Sequence, residues 1–414
     1  MANREHVEVV RRGADALLDW RARNSDAVLD LRAADLRGLD LKEARLAGAD
    51  LSSADLTGSD LTEAQLREAK LLFATLVRAD ITGADLWHAD LAHAQLRGAV
   101  LATAILDRAV LEDAVLDGAD LLRAQARDAD LSRASLRRAD LSEANLSGAT
   151  LADADLHRAN MAGADVSYTK LESVTLSRAN LSNANLLQTD FTGAILGFTA
   201  FDGCDLSASV KLESAEHRFP SSVDHIALAR TLRGRDGVFS PEERTFFLAA
   251  GVPAALLDAF PRMVQDRPLD FTSVYVIAAQ EDSWEAQRLR HDLAAQGIVL
   301  WRYDEETLVG RGRGAGVERT QPVYDKLVVL CSKSGLEDTA LLQETERAFY
   351  KEERLRRQRA SDSRVIIPVT LDGHLETDWE HPRAQDIMGK RPVAMQDGTQ
   401  REKQVQELVA RLRD

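Results

Sequence analysis

Three groups of side chains in the 414-residue sequence have types and spacings that chemistry could use. The first is Gly310-Arg311-Gly312-Arg313-Gly314-Ala315-Gly316. Glycines let a backbone approach a phosphate closely, and an arginine can grip one with two parallel hydrogen bonds. The spacing is neither that of a Walker loop nor that of a dinucleotide fingerprint, and glycine also simply frees a loop to move. The segment therefore reads either as a nucleotide clamp built on Arg311 and Arg313 or, the favoured alternative, as a flexible loop used in self-association. The second group is Glu337, Glu344, Glu346 and Glu352, in a stretch dense with Lys and Arg. On one helix these are either solvated partners of neighbouring cations or, for one of them, a carboxylate placed for catalysis. The third is the set His225, His291 and His374, which shows no helical ligand pairing and reads as structural or exposed. No Ser-His-Asp, Cys-His or metal-ligand spacing is seen, so neither a metal nor a resident cofactor is expected.

Bulk properties narrow the classes further. The length suggests two or three folding units. A formal charge of −15 opposes general attraction to nucleic acid or an anionic membrane, while leaving room for a local basic patch. Cys204 and Cys331 lie far apart, which suits a reducing compartment and gives no disulfide framework. The N-terminus lacks a signal-peptide pattern, and no apolar run approaches the roughly 18 residues of a membrane span. A cytoplasmic protein is the expectation.

The elements that position these groups begin with a rhythm of five. From Leu31 to Leu206 every fifth residue is apolar apart from the small Ala126, 36 positions without an insertion, and a small residue usually sits two places earlier. Five matches neither the 3.6 period of a helix nor the 2 of a strand. A helix would smear such residues around every face. The pattern Ala49-Asp50-Leu51-Ser52-Ser53, repeated at Ala139-Asp140-Leu141-Ser142-Glu143, resembles the pentapeptide-repeat family. That resemblance implies a right-handed quadrilateral β-helix with four repeats per coil, the large and small residues inward and the other three outward. Residues 27–206 then form about nine coils, roughly 43 Å long at the usual strand spacing. Ala126 should leave a packing deficit. This region carries 28 acidic and 17 basic side chains, so its surface is acidic.

Open coils expose strand edges that need covers. Residues 1–26 hold an amphipathic segment, 4–22, that suits a capping helix. Residues 207–268 read as a helical cap and connector holding the last domain rigidly, with Ser240 and Glu243 forming a capping box ahead of one helix. From 269 to 414 strands and helices alternate: strands at 273–279, 298–302, 326–331 and 365–371, helices at 283–296, 341–359 and 402–413. Such alternation predicts a parallel sheet with helices on both faces, an α/β flavodoxin-like wrap.

Within this last part the segments Asp270 to Asp282, Gly297 to Glu306, Val323 to Ser332 and Glu344 to Phe349 resemble the first three strands and the glutamate-bearing helix of bacterial TIR domains. The resemblance implies cleavage of NAD at the nicotinamide–ribose bond, with NAD as substrate and Glu344 as the catalytic carboxylate beside the developing oxocarbenium charge. It places Ile277, Ala279, Trp301, Asp304 and Ala340 around the nucleotide, and the clamp reading adds Arg311 and Arg313. Two positions depart from the family pattern. Ile277-Ala278-Ala279 stands where Ile-Ser-Tyr-Ser is common, and Ala340 stands where a Trp is usual. Three functions follow: an immune-type effector in which the repeat scaffold assembles NAD-hydrolysing domains, a non-catalytic adaptor, or an acidic rod mimicking DNA toward a topoisomerase. Partners expected are further copies of the chain and a nucleotide, with neither membrane nor direct nucleic-acid binding.

Overall fold

The computed structural model describes residues 2–24, 27–233, 235, 237–266, 273–300, 324–359, 365–372, 374–377, 379, 381–395 and 400–413. They form two compact units, 1–259 and 260–414.

In the first unit the backbone of residue 30 pairs with residue 50, 35 with 55, 40 with 60 and 45 with 65, all parallel. The offset of twenty continues to the pair Asp190 and Val210, so four five-residue sides make one coil. Each side contributes three ladder bonds of the type Leu31 N–H to Asp50 O (2.8 Å), Ala33 N–H to Ser52 O (2.9 Å) and Asp50 N–H to Leu29 O (2.8 Å). The inward Leu and the Ala two residues before it are buried throughout. Every fifth residue from Ala33 to Gly203 has positive φ, which turns the corner. Glycine fills only some of these positions, and Arg, Asp or Glu fill many others at a strain cost that the ladder must overcome.

The residue before each central Leu does more than face water. Where it is Asp, its Oδ1 accepts the N–H two residues on, as in Asp50 to Ser52 (3.1 Å) and Asp190 to Thr192 (2.9 Å), an Asx turn that stiffens the corner. Small inward hydroxyls also bond between coils: Thr169, Thr189 and Thr199 donate to the carbonyls of Leu146, Val166 and Leu176.

Both open ends are covered. Two helices, α1 (Arg4–Arg11) and α2 (Ala14–Arg23), precede the first coil, where the sequence pattern alone reads as one. Gly13, with φ of 90°, breaks them. The carbonyls that point away from the stack find donors here: Asp30 O bonds Asn3 N–H, Asp35 O bonds Arg11, and Arg45 O and Ala47 O bond Arg21. At the far end the ladder outlasts the side-chain rhythm. Strand β1 (Ile195–Leu196) pairs with β2 (Glu216–His217), and Ala200 pairs with Ser222. Backbone pairing needs no inward Leu, so it persists past Leu206 until helices take over.

Those helices are α3 (His225–Arg233), α4 (Pro241–Ala249) and α5 (Ala254–Asp266). On α3 the Thr231 hydroxyl accepts Leu206 N–H (3.1 Å), and Asp224 just before it accepts Gly203 N–H (2.9 Å). The capping box ahead of α4 is formed by Ser240 and Glu243 (3.2 and 2.8 Å). Phe246 of α4 packs edge-on against Phe201 (5.3 Å) and sits near Phe191, closing the core with rings where the coils used Leu.

The second unit holds a five-stranded parallel sheet in the order β4-β3-β5-β6-β7. Its strands are β3 (Ser273–Ile277), β4 (Val299–Leu300), β5 (Lys326–Cys331), β6 (Ile366–Thr370) and β7 (Val393–Ala394). The chain enters in the middle and winds out both ways, the doubly wound pattern. Val274, Val276, Val328 and Leu330 face α6 (Ser283–Ala295) and α11 (Arg401–Arg413). Alternate residues Tyr275, Ile277, Leu327, Val329 and Cys331 face α7 (Lys333–Glu337), α8 (Thr339–Arg359), α9 (His374–Thr377) and α10 (Ala384–Met388). No helix among the described residues is long and apolar enough to cross a membrane.

Two stability tests follow. Ala126, 2% exposed, stands where the coils on either side carry Leu106 and Leu146, so Ala126→Leu should raise the melting temperature by about 2–4 °C in calorimetry. His217 lies edge-on to Phe246 (4.7 Å), neither ring nitrogen has a hydrogen-bond partner, and burial pushes its pKa down to about 4. The unfolded chain takes up that proton near the ordinary value of about 6.5, so the contribution is complete above that pH and is lost as pH falls toward about 4. His217→Phe should flatten the melting temperature across this window, and an unchanged slope would exclude His217 as the cause.

Candidate functional site

Ligands of doubly wound sheets bind beyond the carboxyl ends of the strands, at the point where the winding reverses, here between β3 and β5. Three polar groups converge there. Asp282, after β3, receives a hydrogen bond from the Ser332 hydroxyl at the end of β5, and Ser334 lies 3.4 Å from the same carboxylate oxygen. Ser332 also caps α7 by accepting Gly335 N–H (3.0 Å). Gly335 is required by space, because a Cβ there would lie 2.7 Å from Leu330 O. After β6, Asp372 accepts Lys333 N–H (2.9 Å) and His374 N–H (3.0 Å), tying a third strand end to the group.

Glu344 comes from the second turn of α8, whose start is fixed by Asp338 accepting Leu341 N–H (2.8 Å). It is 7% exposed, not solvated. Tyr324, just before β5, donates to its Oε1 (2.8 Å), and Arg347 approaches its Oε2 (3.1 Å). The Tyr324 ring stacks on Tyr275 of β3 (5.7 Å), so the aromatic pair fixes the phenol that fixes the carboxylate. Burial first, then the neighbouring Glu344 carboxylate, pushes the Tyr324 phenol well above its usual range. It therefore remains a donor at any physiological pH. A carboxylate so oriented can stabilise a positive charge that develops beside it.

Glu346 and Glu352 of α8 are anchors, whereas Glu337 ends α7. Glu346 makes a two-pronged pair with Arg383 (2.8 and 2.9 Å), which holds its carboxyl below the ordinary range. Glu352, 2% exposed, accepts Val365 N–H (2.7 Å) and Ile366 N–H (2.9 Å) and pairs with Lys390. It thereby fastens the start of β6 to α8. Glu337 alone of the four is exposed.

Of the residues expected around a nucleotide, Ile277 ends β3 and belongs to the same apolar cluster as Tyr324 and Tyr275. Ala279, 2% exposed, begins the turn that leads to Asp282. Ala340 lies in the first turn of α8. Trp301, Asp304, Arg311 and Arg313, with the whole Gly310–Gly316 segment, lie outside the described residues. The structure adds Tyr324, Arg347, Asp282, Ser332 and Asp372, which no sequence spacing had singled out. Cys331, at the end of β5, is buried.

Comparison with known proteins bears on the first unit. The family model for pentapeptide repeats matches in eight copies across residues 30–207. The solved structure of HetL, a pentapeptide repeat protein involved in heterocyst differentiation regulation in the cyanobacterium Nostoc sp. strain PCC 7120, is 34% identical. The match covers 45% of this chain and 86% of HetL, with a TM-score of 0.37. A pentapeptide repeat protein from the Arabidopsis thaliana thylakoid lumen is 30% identical over 30% of this chain and 71% of its own, with a TM-score of 0.16. Full-length QnrB1, a plasmid-mediated fluoroquinolone resistance protein, is 17% identical over 42% of this chain and 95% of its own, with a TM-score of 0.27. No curated protein matches the chain.

Removing Glu352 strands the Lys390 ammonium and two strand N–H groups in a dry environment. Glu352→Ala should cost about 3–5 kcal/mol in denaturant unfolding of the second unit. A loss below about 1 kcal/mol would mean that the carboxylate does not hold β6.

Proposed function

Given that the chain belongs to the pentapeptide-repeat family through residues 30–207, we propose that the repeats are a scaffold for assembly and that the α/β unit cleaves NAD at the nicotinamide–ribose bond, the pair acting as a bacterial immune-type effector. The observation that carries this reading is Glu344, a buried carboxylate on the helix that follows the central strand, oriented by Tyr324 and Arg347. In the proposed reaction its negative charge stabilises the oxocarbenium character that grows on the ribose as nicotinamide departs, and water then completes the hydrolysis. The phenol of Tyr324 keeps one oxygen aimed while the other faces Arg347, so reorganisation at the moment of bond cleavage is small.

A second reading, assembly without catalysis, draws on two facts. Both Glu344 oxygens already have partners, and the end of β3 offers Ile277-Ala278-Ala279 with no hydroxyl.

The two separate in one assay. The full chain, incubated with NAD or NADP over a range of protein concentrations, should release nicotinamide at a rate rising more steeply than protein concentration. Glu344→Gln, which can still accept from Tyr324, should lower the rate by about 100-fold, equivalent to about 2.7 kcal/mol of transition-state stabilisation, with an unchanged melting temperature. Equal rates for the two proteins, or no release at any concentration, would leave the adaptor reading in place.

A further inference from the structure

Residues twenty apart stand above one another, so an arginine on the rod commonly finds its carboxylate one coil above or below. Arg108 reaches Asp128 (3.9 Å), Arg123 reaches Glu143 (2.6 Å) and Arg133 reaches Asp113 (2.8 Å). One corner departs from this. Its column runs Gly118, Arg138, Arg158, Arg178, Phe198, so the coils above and below each arginine supply glycine, phenylalanine or another arginine. All three arginines are exposed, and among the described residues none makes an ion pair. The carboxylates on the two flanking faces are already engaged: Asp155 by Arg137 (2.9 Å), and Asp140 by the Ser142 hydroxyl (2.6 Å) and Asn160 (3.0 Å). Burial first, then Arg137, Arg158 and Arg178, holds His157 below its ordinary pKa, as a positive potential at this corner would.

The column continues past the last regular coil. Ile195 and Leu196 pair with Glu216 and His217, a register that gives Phe219 the place above Phe198. The two rings stack (5.0 Å between centroids, 16° between planes), and the Arg178 guanidinium lies over the Phe198 ring (5.4 Å). Gly197 makes room for this, since a Cβ there would lie 3.2 Å from the Phe219 nitrogen. Phe219 is 57% exposed although Phe198 covers one face of its ring, so the other face is open to a ligand. Arginines held about 4.8 Å apart repel one another unless an anion lies among them. We propose that this corner binds single-stranded nucleic acid, with Arg138, Arg158 and Arg178 holding its phosphates and Phe219 stacking one of its bases. The two parts of such a site stand in line here: a positive track for the backbone and an aromatic platform at its end. Guanidinium suits the first part because it can give two parallel hydrogen bonds to one phosphate. A duplex keeps its bases stacked inside and has none to offer Phe219, and an acidic peptide would use the arginines but not the rings. The net charge of the rod opposes nucleic acid everywhere else, which confines contact to this corner. The site does not depend on whether the α/β unit cleaves NAD.

The test titrates the full chain into a fluorescein-labelled oligothymidylate and follows anisotropy. At about 50 mM NaCl the Kd should lie between about 1 and 100 µM, and affinity should fall about 20-fold by about 200 mM, the slope for three phosphates on a single strand. The variant R138E/R158E/R178E should weaken binding at least about 30-fold, and Phe219→Ala should weaken it about 10-fold while leaving the salt slope unchanged. Glutamate already stands in the same left-handed corner conformation at Glu43, Glu63 and Glu143, so the triple variant keeps an allowed residue type. Circular dichroism melts check that both variants fold, and Phe219→Ala, which leaves the coils untouched, decides the matter if the triple variant does not. No binding at the lower salt, or folded variants that bind like the wild type, would overturn the proposal. Oligoglutamate that displaces the strand at equal charge would overturn it too, by assigning the corner to an acidic protein surface. Nicotinamide release is not part of the readout, so its absence in the other assay leaves this result independent.

Discussion

The first unit depends on one requirement: three of the five N–H groups on each side must find a carbonyl on the neighbouring coil, as Leu31, Ala33 and Asp50 do, while a fourth closes the corner, as Ala34 N–H does on Leu31 O. The Asp50 N–H to Leu29 O bond and the Leu31 N–H to Asp50 O bond, repeated side after side, leave no freedom in how many residues a side may hold. The narrow interior then dictates the rest. One large and one small side chain fill each side, which is why Leu and Ala alternate at fixed places. The corners accept positive φ in every turn, even where Arg or Glu stands, because the ladder on both sides holds them there. At the ends the same requirement recruits unrelated chemistry: Arg11 and Arg21 for orphan carbonyls at the start, Thr231 and Asp224 for orphan N–H groups at the finish.

The second unit answers a different constraint. Its sheet is buried on both faces, so β5 reads as an apolar run, and buried polarity gathers at the strand ends, on α8 and at Arg401, which pairs with Glu285 and Asp292. Helix α8 carries two buried carboxylates with separate duties. Glu352 is saturated by backbone N–H groups and Lys390, and serves only to fasten β6. Glu344 is held by a phenol and a half-exposed Arg347, groups that orient a charge without consuming all of its field. This contrast separates a carboxylate saturated by the fold from one that is only oriented by it.

Much of this architecture is legible in the sequence, and the parts that are not share a cause. The five-residue rhythm, the Ser240 and Glu243 box and the strand Lys326–Cys331 can be read because each expresses a local demand: inward volume, an N-terminal cap, a dry face. The ladder beyond Leu206 could not be read, since pairing through Glu216–His217 and Ser222 uses backbone alone. The capping segment 4–22 could be read from its amphipathic pattern, but its individual donors could not, because a carbonyl accepts any donor and nothing marks Arg21 out from other arginines. The edge strand Val393–Ala394 is too short to show a pattern. Glu344 and Glu352 sit among Lys and Arg in a sequence that resembles a solvated helix face, and only the fold brings Tyr324, Val365 and Lys390 to them.

The closed circuit of four equal sides also sets a rule for how such a chain can change length. Removing or duplicating twenty residues lifts out or adds one whole storey, and everything above keeps its compass bearing. Removing five residues turns all later storeys by a quarter circle, so columns that were aligned become mismatched and the end cover meets the wrong side. Lengthening is therefore tolerated only in whole turns, twenty residues at a time.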